Sequence, residues 1–368
     1  MPQPLGPLLR RATVGVLALA AMWAPGHSPA AATAAPSALS APSAPEAHRI
    51  AFTQRYRAHQ HGGIVRAANT SISCRPDSSC SGAQTGGQGV NGDFDMFYVD
   101  VDDDPNTYNS SRAELRLPAG SRVTYARLYW GGNLRVGEQK PPEDSRRVLL
   151  AEPGGQYKEL LADTVVGHRV AGGAEAFQAS ADVTRMVRDS VPGLYTVAQV
   201  NVASGRSQAG AWGGWTLVVA YENPAEPVRD LAVWDGFQRL DSGTTHRIRM
   251  RGLDFGAGAG GYAGLVAYNG DRGTTGDSLT LTAGRSGALR LTGPADPADD
   301  ILNSTISGPG DNSPARIPAY ANTLGYDSDV FGLQGGLPRA GDQVTFRLRS
   351  ERDTAWAGVL FAAVDARK

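Results

Sequence analysis

Residues 211–237 read AWGGWTLVVAYENPAEPVRDLAVWDGF. The centre of this stretch, 215–221, is apolar at nearly every position and shows no period of two. A strand that alternates needs one covering layer; a strand that does not is buried on both faces and needs two. The run therefore predicts a central strand in a sheet with material packed above and below it. Glycines precede it and Asn223-Pro224 stops it. Pro224 and Pro227 stiffen the following loop, and a second strand starts at Leu231, closed after Trp234 by Asp235-Gly236. The pair is expected to form the spine of a β-sandwich. It carries no catalytic signature.

Turn-formers dominate the rest. With 46 Gly and 23 Pro in 368 residues, few stretches can sustain a long helix, and these residues alternate with clean apolar runs. The expected class is all-β: two packed β-sandwiches, the first jelly-roll-like, with one short helix. The chain divides into residues 1–35, 36–61, 62–243 and 244–368. The first segment reads as a signal peptide. Arg10-Arg11 precede an apolar stretch over 12–24 that is too short to cross a bilayer, and Ala30-Ala31-Ala32 and Thr33-Ala34-Ala35 offer small-residue cleavage sites. The second reads as an Ala/Ser/Pro-rich linker that runs on through a polar segment with His59 and His61. The last two are the sandwiches.

A formal net charge of −1 supplies no global field for nucleic acid, so none is expected as a partner. No apolar span closes the chain, and no transmembrane anchor is expected. The setting these features predict is extracellular, either secreted free or associated with the cell surface. There the two cysteines, Cys74 and Cys80, are expected to pair as a local disulfide that pins one loop rather than the fold.

Further strands are expected over 93–101, 113–117, 123–130, 146–150, 165–170 and 195–202, with a bulge where the alternation changes phase between Tyr125 and Ala126. Residues 181–188 are the one expected helix, with Asp182 at its start. In the second block 246–251 alternates strictly and sends Ile248 and Met250 inward; 265–268, 279–282, 289–292, 344–348 and 356–364 complete the set.

The most concentrated polar chemistry is the acidic run Asp100, Asp102, Asp104 with Asn106 beyond it. Hard oxygen ligands on a loop suit a structural calcium ion, and a solvated turn held by its own hydrogen bonds is the alternative. No other cofactor is expected. Gly276-Asp277-Ser278-Leu279 spells the opening of a hydrolase signature, but no histidine follows Ser278 to serve as base, and a turn entering a strand explains it. Glycoside chemistry needs two carboxylates that arrive from distant strands without a local motif; Glu114, Glu222 and Asp235 are the candidates for that rival, hydrolytic reading. Trp212, between Ala211 and Gly213, is the tryptophan expected to be exposed for stacking on a sugar. Arg247, Arg249 and Arg251 line one face of their strand and offer a site for an anionic polymer, against a plain solvated face.

The phrases YVDVDDDPNTYNSS, ARLYWGGN, GWTLVVAYENPAEPVRDLAVWDGF and NTLGYDSDVF resemble a β-rich module of secreted actinobacterial surface proteins. There it stands N-terminal to tandem immunoglobulin-like repeats of unknown function, and a similar Y-E-N-P pattern occurs in some archaeal surface proteins. The likeness spans residues 92–364. It implies an extracellular or cell-surface setting and carries no catalytic residues to this chain, which here lacks the repeats. The expected function is a non-enzymatic binding or structural module that acts on cell-wall polymer or another surface protein.

Overall fold

A computed structural model describes residues 49–284, 286–310 and 314–367. The expected signal peptide and the linker up to residue 48 lie outside the described residues. The protein is all-β. In chain order its strands are β1 (Arg49–Thr70), β2 (Ile72–Cys74), β3 (Met96–Tyr98), β4 (Ser110–Leu115), β5 (Arg122–Asn133), β6 (Arg147–Ala151) and β7 (Lys158–Leu161). Then come β8 (Thr164–Ala171), β9 (Ala174–Asp182), β10 (Gly193–Ala198), β11 (Gly213–Glu222), β12 (Val228–Leu240), β13 (Thr245–Phe255) and β14 (Gly261–Tyr268). The last are β15 (Ser278–Ala283), β16 (Ser286–Leu291), β17 (Arg316–Ile317), β18 (Tyr326–Gly332), β19 (Gly341–Arg349) and β20 (Ala355–Asp365). Two short helices, α1 (Ser78–Gln84) and α2 (Thr184–Arg188), interrupt them.

The largest sheet runs β18-β14-β20-β12-β1-β11-β5-β9-β8. β1 is its shared member: its first part pairs with β12 down to His61, and from Gly62 onward it pairs with β11. The sheet folds over there, so a front half (β11, β5, β9, β8) faces a rear half (β12, β20, β14, β18). Only glycine suits the handover, because Gly62 has φ +129° and a Cβ would sit 2.1 Å from the Tyr221 carbonyl oxygen.

Alternation along each strand then fills three cores. On β11, Trp215, Leu217 and Val219 enter a front core with Ala113, Leu115, Val148, Leu150, Tyr195 and Val197 of a five-stranded outer sheet (β17-β4-β10-β6-β7). Val218 and Ala220 of the same strand enter the central core between the halves, against Leu231, Val233, Phe237 and Phe361. The rear core joins Leu265, Leu360 and Ala362 to Ile248, Met250, Leu281 and Phe346 of a four-stranded outer sheet (β13-β19-β15-β16). The result is four layers, two sandwiches back to back. Fully buried Gln178 ties them: its Nε2 donates to the carbonyls of Gly236 and Gly358, both at 3.2 Å, and the Tyr268 hydroxyl donates to its Oε1 at 2.9 Å.

The non-alternating run is indeed a strand buried on both faces. Several boundaries differ. Residues 49–61, read as linker, form the first half of β1; as the end strand of the rear half it is polar (Arg55, Arg57, His59, His61), which blunts a sheet edge and imitates a tether. The two strands of the expected spine do not pair with each other, since both pair with β1. β12 does not close at Asp235-Gly236 but passes through them with a register shift. The rear sandwich therefore begins at β12, not at residue 244, and also takes in residues 49–61. The expected bulge lies at Thr124, where Ala220 faces Tyr125 and Tyr221 faces Val123. The expected helix is confined to Thr184–Arg188 because 181–182 still belong to β9, and α1 is a second one, its first turn capped by Asp77, whose Oδ1 accepts from the Cys80 amide at 2.7 Å. The Cys74–Cys80 disulfide is formed and fastens α1 to β2.

Candidate functional site

The rear outer sheet must bury one face, so its strands alternate. Along β13 Ile248 and Met250 go into the core while Arg247, Arg249 and Arg251 face solvent. Along β19 Val344, Phe346 and Leu348 go in while Gln343, Thr345 and Arg347 face out; β15 and β16 contribute Thr280, Thr282 and Arg290 outward. Register turns this alternation into rows. Arg247 stands opposite Arg347, Arg347 opposite Thr280 and Thr280 opposite Arg290. Three arginines thus share a line across four strands, roughly 14 Å long at the usual strand spacing. The next row holds Arg249, Thr345, Thr282 and Ala288. A shallow cavity of about 470 Å³ lies here, lined by Arg247, Arg249, Arg347, Thr282 and Thr345.

The neighbouring cations are neutralised: Arg349 meets Glu351 at 2.7 Å, Arg239 meets Asp241 at 2.7 Å and Arg367 meets Asp254 at 3.1 Å. Among the described residues Arg247, Arg249, Arg251, Arg290 and Arg347 have no carboxylate partner. Like charges placed directly opposite destabilise strand pairing. Charge on an edge strand guards against unwanted strand addition, which accounts for β13 and β16. It does not account for Arg347, because β19 lies inside the sheet between β13 and β15.

Trp212 is not part of this face. It is fully buried in the central core, its ring 5.8 Å from that of Tyr268. The small residues beside it let the chain close over the indole, and Gly325 packs against it so tightly that a Cβ there would lie 2.6 Å from the Trp212 Cβ. The acidic run satisfies itself between β3 and β4. Asp100 accepts from Ser110 at 2.7 Å, Asp102 from Thr107 and the Asp104 amide at 2.9 Å each and from the Tyr157 hydroxyl, and Asp104 from both nitrogens of Asn106 at 2.9 and 2.8 Å. Partial burial would raise the Asp102 carboxyl, but these donors outweigh it and hold it below its ordinary value. His59 pairs with Asp230 at 3.0 Å and His61 with the Glu226 carbonyl at 2.7 Å.

Glu114, Glu222 and Asp235 are each held by an arginine rather than by one another: Arg116 at 2.7 Å, Arg122 at 2.6 Å, and Arg55 through two bonds of 2.7 and 2.8 Å. Ser278 opens β15 directly after the Gly276 turn, so the hydrolase-like letters are a turn entering a strand.

What the sequence reading missed is a buried acidic basin behind the rear sandwich's loops. Asp271, Asp277, Asp300 and Asp353 gather where the 270–277, 296–300 and 350–354 loops meet. Burial pushes Asp271 up to about 7, reinforced by Asp93, Asp277 and Asp300. It pushes Asp353 up to about 8, with Asp271 and Asp277 adding to it, and Asp277 up to about 6 despite Ser350 and the Glu351 amide. Next to them Asp296, Asp327 and Asp329 form a second group laced by Thr305 and Ser307. Three nearby non-glycine residues, Asn269, Ser304 and Leu324, have φ between +54° and +63°, a conformation that stores backbone strain. The available signal was that Asp327 and Asp329 share a phase with the core residue Phe331 in the strand 326–332, since such a phase sends carboxylates inward.

No protein-family model matches the chain, and no curated protein is similar to it. Among solved structures it is similar to the STIV MCP at 9% identity, covering 69% of this chain and 91% of that one, with a TM-score of 0.21. A chain in the atomic structure of Sulfolobus Turreted Icosahedral Virus matches at 8% identity over 82% and 91%, TM-score 0.21. One in the Sputnik virophage structure matches at 6% identity over 85% and 87%, TM-score 0.17. Scores this low carry no weight in the reading of function.

Proposed function

We propose that this chain is an exported, non-enzymatic binding module whose rear outer sheet holds an anionic polymer outside the cell, wall polymer or an acidic surface glycan being the fitting class. The observation that carries this reading is the row Arg247–Arg347–Arg290 with Arg249 and Arg251 beside it, five cations without carboxylate partners on one flat face. Arginine suits the task because its planar fork donates to carboxylate or phosphate through two parallel bonds. The threonines between the arginines supply hydroxyl donors and acceptors for the polymer backbone. The Cys74–Cys80 disulfide agrees with an oxidising compartment, and no described helix is long and apolar enough to cross a membrane. A structural calcium ion on the Asp100–Asn106 loop is not needed for this reading, since that loop is already held by its own donors.

The test is retention of the purified chain on insoluble anionic polysaccharide and on a neutral polymer of the same backbone, at low and high salt. Retention on the anionic polymer alone, weakening as salt rises, is the expected result. Equal retention on both, or none on either, overturns the proposal.

A further inference from the structure

The acidic basin of the rear sandwich is organised as a cation site. Asp277 is fully buried, and although Ser350 and the Glu351 amide lie close to it, no well-formed hydrogen bond reaches either oxygen of its carboxylate among the described residues; the Oδ1 of Asp300 is likewise buried and unpartnered. The bonds around them fix the loops. The Asp271 amide donates to Asp353 Oδ2 at 3.0 Å and the Thr354 amide to Asp353 Oδ1 at 2.6 Å; the Gly273 amide donates to Asp300 Oδ2 at 2.9 Å. The Gly276 and Asp277 amides both donate to the Asp299 carbonyl, at 2.6 and 3.2 Å, which turns the Asp277 side chain into the basin. Arg272 acts on this group, its charge reaching Asp300 while its guanidinium donates to the Ala321 carbonyl at 2.8 Å. A buried carboxylate lacking both donor and countercharge is costly. Here several stand together, and a cation among them would supply the missing charge.

We infer that the 270–277, 296–300 and 350–354 loops bind one divalent cation, and that the oxygen-only donor set makes it Ca²⁺. Asp277 and Asp300 are its carboxylate ligands, with Asp271 and Asp353 supplying charge around it. Among the described residues no three His, Cys, Asp or Glu side chains form a ready cage, so water and loop carbonyls complete the shell, as Ca²⁺ accepts. The site is separate from the arginine face, which needs no metal, and from the Asp100–Asn106 loop, where Asp100, Asp102 and Asp104 each accept a hydrogen bond.

The experiment uses the whole mature chain, stripped with chelator and dialysed, with Ca²⁺ titrated in at pH 7.5. Calorimetry is expected to report one equivalent bound per chain. Thermal melts should rise by roughly 5 °C at a hundredfold excess over the dissociation constant. Asp277→Asn and, independently, Asp300→Asn should lose the response, while Asp102→Asn keeps it. Absence of Ca²⁺ binding by the wild-type chain overturns the inference whatever the variants do. So does a response lost in Asp102→Asn and kept in Asp277→Asn or Asp300→Asn, which would move the ion to the other loop. Should one basin variant fail to fold, the other and the wild-type stoichiometry still decide.

Discussion

On the front outer sheet Arg147 meets Glu159 at 3.3 Å, Arg116 meets Glu114 at 2.7 Å and Lys158 is paired with Glu152. On the rear outer sheet five arginines meet no carboxylate among the described residues. The acids follow the same division. In the front sandwich they are partnered: burial would raise Glu138, but Lys140, Tyr98 and Ser204 outweigh it and bring it down to about 2, and Asp163 sits below its ordinary value beside Arg127 and the Asp182 amide. In the rear sandwich Asp235, Asp241, Asp254 and Glu351 are paired with arginines, but Asp271, Asp277 and Asp353 are buried together and held up. Two sandwiches of the same layer plan thus handle charge in opposite ways. The contrast lies in the exposed arginines and the buried acids: the front outer sheet leaves only the half-buried Arg112 and Arg316 without a carboxylate among the described residues, whereas the rear one leaves five exposed arginines so.

The sharpest way to break this contrast is charge reversal on each outer face. Arg247→Glu with Arg347→Glu should lower retention on anionic polymer more than tenfold, while Arg147→Glu on the front face should leave it unchanged. Equal effects of the two would erase the distinction. Next in size is the front sandwich's buried pair. Arg127 is almost fully buried, paired with Asp163 and donating to Ser180 at 3.0 Å. Arg127→Leu should cost about 2 kcal/mol in denaturant unfolding, reduced from the full value for a buried pair because Asp163 is itself nearly half exposed. Removing the disulfide with Cys74→Ser and Cys80→Ser closes no long loop and should cost at most about 2 kcal/mol, with no change in polymer retention.

The pH profile tests the contrast from the side of the acids. A carboxyl raised in the folded state binds its proton more tightly there, so the stability it contributes is present at low pH and is lost as pH rises from its unfolded value through its folded one. For Asp277, Asp271 and Asp353 that window runs from about 4 up through about 6, 7 and 8. The partnered front acids act oppositely, losing their contribution only as pH falls below about 4 toward 2 for Glu138. In chelator, thermal melts should therefore peak on the acid side of neutrality and fall toward pH 8. Saturating Ca²⁺ should flatten that fall. A chelated protein most stable at pH 8 would refute this division of the acids.

The class and most strands were legible because burial on one or both faces leaves a period in the sequence: 215–221 read as doubly buried, and Ile248 and Met250 as inward. The arginine face was half legible for the same reason. Arg247, Arg249 and Arg251 follow from alternation within one strand, whereas Arg347 and Arg290 join them only through register with β19, β15 and β16, which no local pattern encodes. Trp212 was misplaced because its small neighbours permit exposure and close packing alike. The basin was invisible because its acids come from three loops, and Asp277 sat inside letters that drew attention to Ser278. β1 escaped because an edge strand must be polar, and polarity was also the mark of a tether.

That shared strand governs the order in which the molecule can be built. β1 leads the described chain, yet Thr70 must wait for Gly214 and Arg49 for Gln238 before their partners exist. A chain released from its N-terminus carries β1 unpaired until more than half of it has emerged, and neither sandwich can close its end strand sooner. Such long-range pairing slows folding and prolongs the exposure of an open strand edge. The arginines and histidines of residues 49–61 therefore serve the nascent chain before they serve the native one, keeping that waiting edge soluble.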